Sequence, residues 1–154
     1  MILLAHLLFG AAIGSIVKNM PLAIFLAFLS HYFLDIIPHA EYNIENIEKK
    51  QWRRTLPQFL GVSLDFLTGV LFILIFSNSS ASSGQAIIYV CAFFAIIPDG
   101  LYLLNLMLES KVLQNHSNLH QKKIHFLKHK KIPMFWRVFS QMMVIAISIF
   151  LLRS

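Results

Sequence analysis

Cysteine occurs once, as Cys91, inside an apolar run. A single thiol permits no disulfide framework within the chain, and no cysteine-based zinc motif is present. Charged residues are scarce as well: they make up 13% of the chain, where a soluble domain carries roughly 25%. No basic stretch precedes the first apolar run, and the next run follows after only Lys18-Asn19-Met20. The opening segment therefore reads as a retained helix rather than a secretory signal. No internal repeat is visible, and the one low-complexity stretch, 77–83, is an uncharged polar loop. The remainder is apolar: 57% of the 154 residues are hydrophobic, in a length that suits one domain. Mean hydropathy is +0.68. Such a chain would expose large apolar patches in water, so an integral membrane protein is expected.

Five spans can be read, at about 2–17, 21–37, 57–76, 85–108 and 133–152. Crossing the hydrocarbon takes ~20 apolar residues. The first two spans are short by that measure and are expected to end in the interface or in a locally thinned bilayer. Pro21, Pro57 and Pro133 each open a span, where the N–H that proline lacks would be unpaired anyway. The expected fold class is all-α: residues 1–154 form a single integral membrane domain, a polytopic transmembrane helical bundle of about five spans. A basic interfacial helix is added within 109–132.

The formal net charge is +6. It sits in short segments beside apolar spans, so membrane lipids, anionic headgroups among them, are the expected partner and nucleic acid is not. Segment 38–56 holds Lys49, Lys50, Arg53 and Arg54; segment 109–132 holds Lys111, Lys122, Lys123, Lys128, Lys130 and Lys131, with Arg137 just beyond. The other side has only Lys18 and Arg153, a ratio of 11 to 2. This bias predicts a cytoplasmic N-terminus, with the cytoplasmic membrane of a bacterium or archaeon as the setting. Trp52 and Trp136 read as interface anchors.

Glu41, Glu45, Glu48 and Glu109 lie outside the spans; Asp35, Asp65 and Asp99 lie inside them. An aspartate at the centre of a membrane helix costs ~2.5–3.5 kcal/mol, so three of them point to a site. All three, with His6 and His31, fall in the cytoplasmic halves of their spans. His31 and Asp35 are four apart and share a helix face, the spacing for two ligands on one ion. Zinc accepts His nitrogen with Asp oxygen, and such mixed sites also suit iron or manganese. Asp65 and Asp99 are expected to supply oxygens from neighbouring helices. Gly61 and Gly69, and likewise Gly10 and Gly14, would let a second helix approach closely. Pro98 is expected to free a carbonyl near Phe94 and to break the helix beside Asp99.

Plainer readings stand beside each of these. His31 and Asp35 could be a hydrogen-bonded pair sealing a helix contact. His6 could be an interfacial histidine, and His39, after Pro38, a cap. His116, His120, His125 and His129 sit among lysines, as on a solvated basic helix. His116 and His120 share a face, whereas His125 lies ~140° round from His120 on a regular helix.

The stretches Ala5-His6-Leu7-Leu8-Phe9-Gly10 and Ser30-His31-Tyr32-Phe33-Leu34-Asp35-Ile36-Ile37-Pro38-His39, with Asp65, Pro98-Asp99, His120 and His125, resemble the predicted membrane-bound metal-dependent hydrolases of the broad YdjM-like group. The resemblance covers most of the chain in order, and the His-x3-Asp-x2-Pro-His block is its most specific part. It implies a metal-assisted hydrolase, related by motif style to zinc phospholipases. The expected activity is hydrolysis of phosphate or ester bonds in lipid at the cytoplasmic leaflet. The expected metal ligands are His31, Asp35, Asp65, Asp99 and His120, holding one or two divalent ions, zinc first and manganese or iron as alternatives. His6, His39 and His125 are the expected acid–base groups. The rival readings are a small metal-ion or proton carrier, and a non-catalytic scaffold using the same Asp/His cluster.

Overall fold

In lipid every backbone N–H and C=O must be paired within the protein, which favours helices. The computed structural model describes residues 1–49, 51–77, 82–108, 110–120 and 132–154, and no strand occurs among them. The elements are α1 (Leu3–Ile16), α2 (Met20–Ile36), a short α3 (Glu45–Glu48), a 3-10 turn at Trp52–Arg54, α4 (Leu56–Phe76), α5 (Ser82–Leu108), α6 (Lys111–Asn118) and α7 (Met134–Arg153). Three of them, α4, α5 and α7, are long and apolar enough to cross a membrane. With 14 and 17 residues, α1 and α2 are shorter apolar helices. Large apolar side chains cover the outside: Phe33, Leu64, Phe135 and Phe150 are 68%, 68%, 69% and 72% exposed. Lipid suits that surface as solvent, and the protein is an all-helical membrane protein.

The prolines act as expected at the starts of α2 and α4, and Pro133 is the residue that precedes α7. Asn19 adds a cap to α2, its side-chain oxygen accepting from Leu22 N at 3.0 Å. Pro98 does not break α5, which runs through it as far as Leu108. The basic segment is helical over α6 and turns in π fashion at Leu119 and His120. Its continuation, with Lys122, Lys123, Lys128, Lys130 and Lys131, lies outside the described residues.

At the centre of the bundle lies α1, which packs against α5, α7, α4 and α2. Leu4, Leu7, Leu8, Ala11 and Ala12 on it are buried with Ile73, Ile88 and Ala92. Small residues set the closeness. A Cβ on Gly10 would stand 2.5 Å from Ala95 Cβ, and one on Gly14 would stand 2.9 Å from Ile88 Cα. On α4, a Cβ on Gly69 would meet Leu7 Cδ1 at 2.6 Å. Gly61 was expected to act likewise beside Asp65, but a Cβ there would meet nothing within 4 Å. This part of α4 faces outward, so Gly61 brings no helix close.

Candidate metal centre

Packing of α2 beside α1 brings His31 and Asp35 against His6, while α5 carries Asp99 to His31. The turn after α6 adds His120. His31, Asp35, Asp99 and His120 each offer one ligand atom, and these atoms all lie within 4.8 Å of one another. His31 Nε2 is 3.1 Å from Asp35 Oδ2, 3.6 Å from Asp99 Oδ1 and 3.0 Å from His120 Nε2. His120 Nε2 is 3.0 Å from the same Asp35 Oδ2. Ligands held ~2.0–2.2 Å from a zinc ion stand roughly 3.3–3.6 Å apart at the corners of a tetrahedron, so the spacing fits an ion.

The hydrogen bonds orient the rings. His31 Nδ1 donates to Ala95 O at 2.8 Å. A carbonyl only accepts, so the proton of neutral His31 is on Nδ1 and the Nε2 lone pair faces Asp35. Metal-ligating histidines are held in this way by their outer partners. The carbonyl expected to be freed by Pro98 was that near Phe94; the one His31 uses is that of Ala95, whose own helical donor is Asp99 N and not Pro98. His39 repeats the pattern, with Nδ1 donating to Ile37 O at 2.7 Å. His39 Nε2 then faces Asp35 Oδ1 at 3.8 Å and Glu41 Oε1 at 3.5 Å. His6 Nε2 lies 3.2 Å from Asp35 Oδ1, and its ring stacks on His31 with centroids 4.1 Å apart. The Met1 nitrogen reaches the same Oδ1 at 2.7 Å. His31, Asp35, His6 and His120 are fully buried or nearly so, at 0–2% exposure.

Asp65 stands outside this group. Its Oδ2 accepts from Leu4 N at 2.8 Å and from the Tyr42 hydroxyl. Tyr42 Oη in turn accepts from Leu3 N at 3.2 Å. The residue before α1 is Ile2, with no side-chain cap, so Asp65 and Tyr42 together satisfy the first N–H groups of α1. A carboxylate at a helix N-terminus is favoured by the macrodipole as well. Burial, then the hydrogen bond and charge of Asp65, hold the Tyr42 phenol above its usual pKa.

His116 lies next to the group, its Nε2 3.0 Å from Tyr32 Oη and its ring stacked on His120 at 5.8 Å. Burial lowers its pKa, and the neighbouring His120 and His31 add to the effect. His125 and His129 lie outside the described residues. Sequence reasoning missed Tyr42, which carries no signal in the sequence. It also left Glu41 aside as a loop residue, although His39-x-Glu41 is a two-residue spacing that could have been noted.

A cavity of about 420 Å³ opens beside the group. Met1, Glu41 and Asp99 belong to its wall nearest the ligands, and Phe59, Val62, Leu103, Leu106 and Met107 to its apolar walls. Tyr102 Oη donates to Glu48 at 2.7 Å and ties α3 to α5 across it. No family model matches the chain, and neither a curated protein nor a solved structure matches it.

Proposed function

We propose that the chain crosses the cytoplasmic membrane five times, N-terminus inside, and is a metal-dependent hydrolase of phosphate or ester bonds in lipid, of the YdjM-like kind. The observation that carries the metal reading is the direction of the ring nitrogens. With its proton tied to a backbone carbonyl, neutral His31 turns its lone pair to a buried carboxylate at 3.1 Å. Two electron-rich atoms at that distance repel unless a proton or a metal cation lies between them. The donor set, two imidazoles and two carboxylates, suits zinc and also manganese or iron.

A bound divalent ion lowers the pKa of water toward ~7 and polarises a phosphoryl or carbonyl oxygen. His31, Asp35, Asp99 and His120 would hold it. Asp99, with its side chain 27% exposed, stands at the boundary between these ligands and the cavity, so a substrate in the cavity would present its bond there. The apolar walls favour an acyl chain, and a volume near 420 Å³ falls within the ~300–1,000 Å³ of small-molecule sites. The lysines of 122–131 would meet an anionic headgroup. His6 and His39, on the far oxygen of Asp35, would take a proton or serve a further ion.

The test is a metal-content measurement on detergent-purified protein, followed by hydrolysis assays on phospholipids and on nitrophenyl esters and phosphates. Zinc or manganese should support turnover, a chelator should remove it, and Asp35→Asn should abolish both metal and activity. Metal without hydrolysis of any substrate, together with ion flux in liposomes, would move the assignment to a carrier.

A further inference from the structure

Asp35 shows its two oxygens to two different sets of atoms. Oδ2 faces His31 Nε2 and His120 Nε2, at 3.1 and 3.0 Å. Oδ1 faces His6 Nε2 at 3.2 Å, His39 Nε2 at 3.8 Å and the Met1 nitrogen at 2.7 Å. The second set is looser than the first, held together by the contacts of Asp35 Oδ1 with His6 and His39 and of His39 with Glu41. The proton of neutral His39 is tied to Ile37 O, which leaves the Nε2 lone pair between Asp35 Oδ1 and Glu41 Oε1 at 3.8 and 3.5 Å. His6 is completely buried, and among the described residues its Nδ1 has no hydrogen-bond partner while its Nε2 lies 3.2 Å from Asp35 Oδ1. A buried imidazole so poorly satisfied is costly. The Met1 ammonium stands 2.7 Å from that oxygen, so an ion bound there would take its place.

We propose that the Oδ1 side of Asp35 is a second divalent-metal site, with Asp35 bridging two ions. His6, His39 and Glu41 complete the second ligand set; His31, His120 and Asp99 complete the first. Each ion then has two imidazoles, one terminal carboxylate and one oxygen of the bridge, a four-ligand set of the type zinc accepts. A carboxylate bridge suits ions ~3.5–4 Å apart, the spacing of two-metal hydrolytic sites. The pairing accounts for a feature that one ion leaves unexplained: four imidazole Nε2 atoms converge on a single buried aspartate. This inference rests on the metal reading proposed above and adds to it the number of ions and the role of Glu41.

Metal stoichiometry and manganese spectroscopy on the full-length protein in detergent decide the matter. Wild type loaded with zinc should bind two ions per chain. Loaded with Mn(II), it should give the exchange-coupled electron paramagnetic resonance spectrum of a bridged pair. His39→Gln and His6→Gln should each leave one ion and a mononuclear spectrum. Glu41→Gln, at a loop position outside the helices, should weaken the second ion about tenfold or more while leaving the first. It serves as the readout should a histidine variant fail to fold. One ion in wild type, unchanged in His39→Gln and Glu41→Gln, overturns the second site and leaves the single-ion reading standing. No ion in wild type overturns both.

Discussion

His31 lies one hydrogen bond from the backbone of α5, its Nδ1 donating to Ala95 O at 2.8 Å. That bond orients the ring with Nε2 3.1 Å from Asp35, so the direction of His31 is set by a helix it does not belong to. His31→Gln should lower zinc affinity by at least ~100-fold, more than the loss of an outer partner alone. His116→Gln, one turn from His120 but outside the ligand group, should change it only a few-fold. Competition titration against a chelating dye measures both. Equal effects at the two positions would mean that the histidines act by bulk charge.

Asp65 separates stability from metal. In Asp65→Ala, Leu4 N and the Tyr42 hydroxyl lose their acceptor, at a cost of about 1–3 kcal/mol for each donor left buried. The expected result is a lower melting temperature in detergent with metal content retained. Asp35→Ala should do the reverse in emphasis and lose the metal. Loss of metal in Asp65→Ala at unchanged stability would return Asp65 to the ligand set.

The glycines give a paired test of helix approach. A Cβ on Gly14 would stand 2.9 Å from Ile87 O and Ile88 Cα, both backbone atoms that cannot swing aside. Gly14→Ala should therefore push α1 from α5, at about the 1–3 kcal/mol typical of overpacking. Gly61 has open space around it, so Gly61→Ala should be neutral or stabilising, by up to ~1 kcal/mol from helix propensity. Unfolding in a graded denaturing detergent would rank the two, and the opposite order would contradict the α1–α5 packing.

Orientation is tested by reporter fusions. With 11 of 13 basic residues in or beside two segments, a fusion at Ser80 should report the external side and one at Lys123 the cytoplasmic side. Both reporting the same side would remove the five-span arrangement.

Helix positions were legible because apolar runs and prolines speak for themselves. The expected spans 2–17, 21–37, 57–76, 85–108 and 133–152 each fall within a few residues of α1, α2, α4, α5 and α7. The grouping of His31, Asp35, Asp99 and His120 follows from a general cost, since buried ionisable groups seek one another. The misjudged position was Asp65, because the cost argument does not say which partner satisfies a carboxylate. At Asp65 the partners are N–H groups of α1, orphaned because the residue ahead of that helix is Ile2. Pro98 misled for a related reason: proline predicts a lost hydrogen bond, and the sequence cannot show that α5 tolerates the loss without ending.

Short, apolar all round and enclosed, α1 has 14 residues and a length of about 21 Å, well under the ~30 Å of hydrocarbon. It also precedes in the chain every helix that encloses it. Synthesis therefore makes α1 before the helices that enclose it. Neither spanning the bilayer with ease nor offering a polar face to water, α1 is committed to its place only when α4, α5 and α7 close around it. His31 and Asp35 lie on α2, Asp99 on α5 and His120 just after α6, so their grouping needs helices made after α1. An ion held by His31, Asp35, Asp99 and His120 would therefore need the bundle complete through the turn after α6.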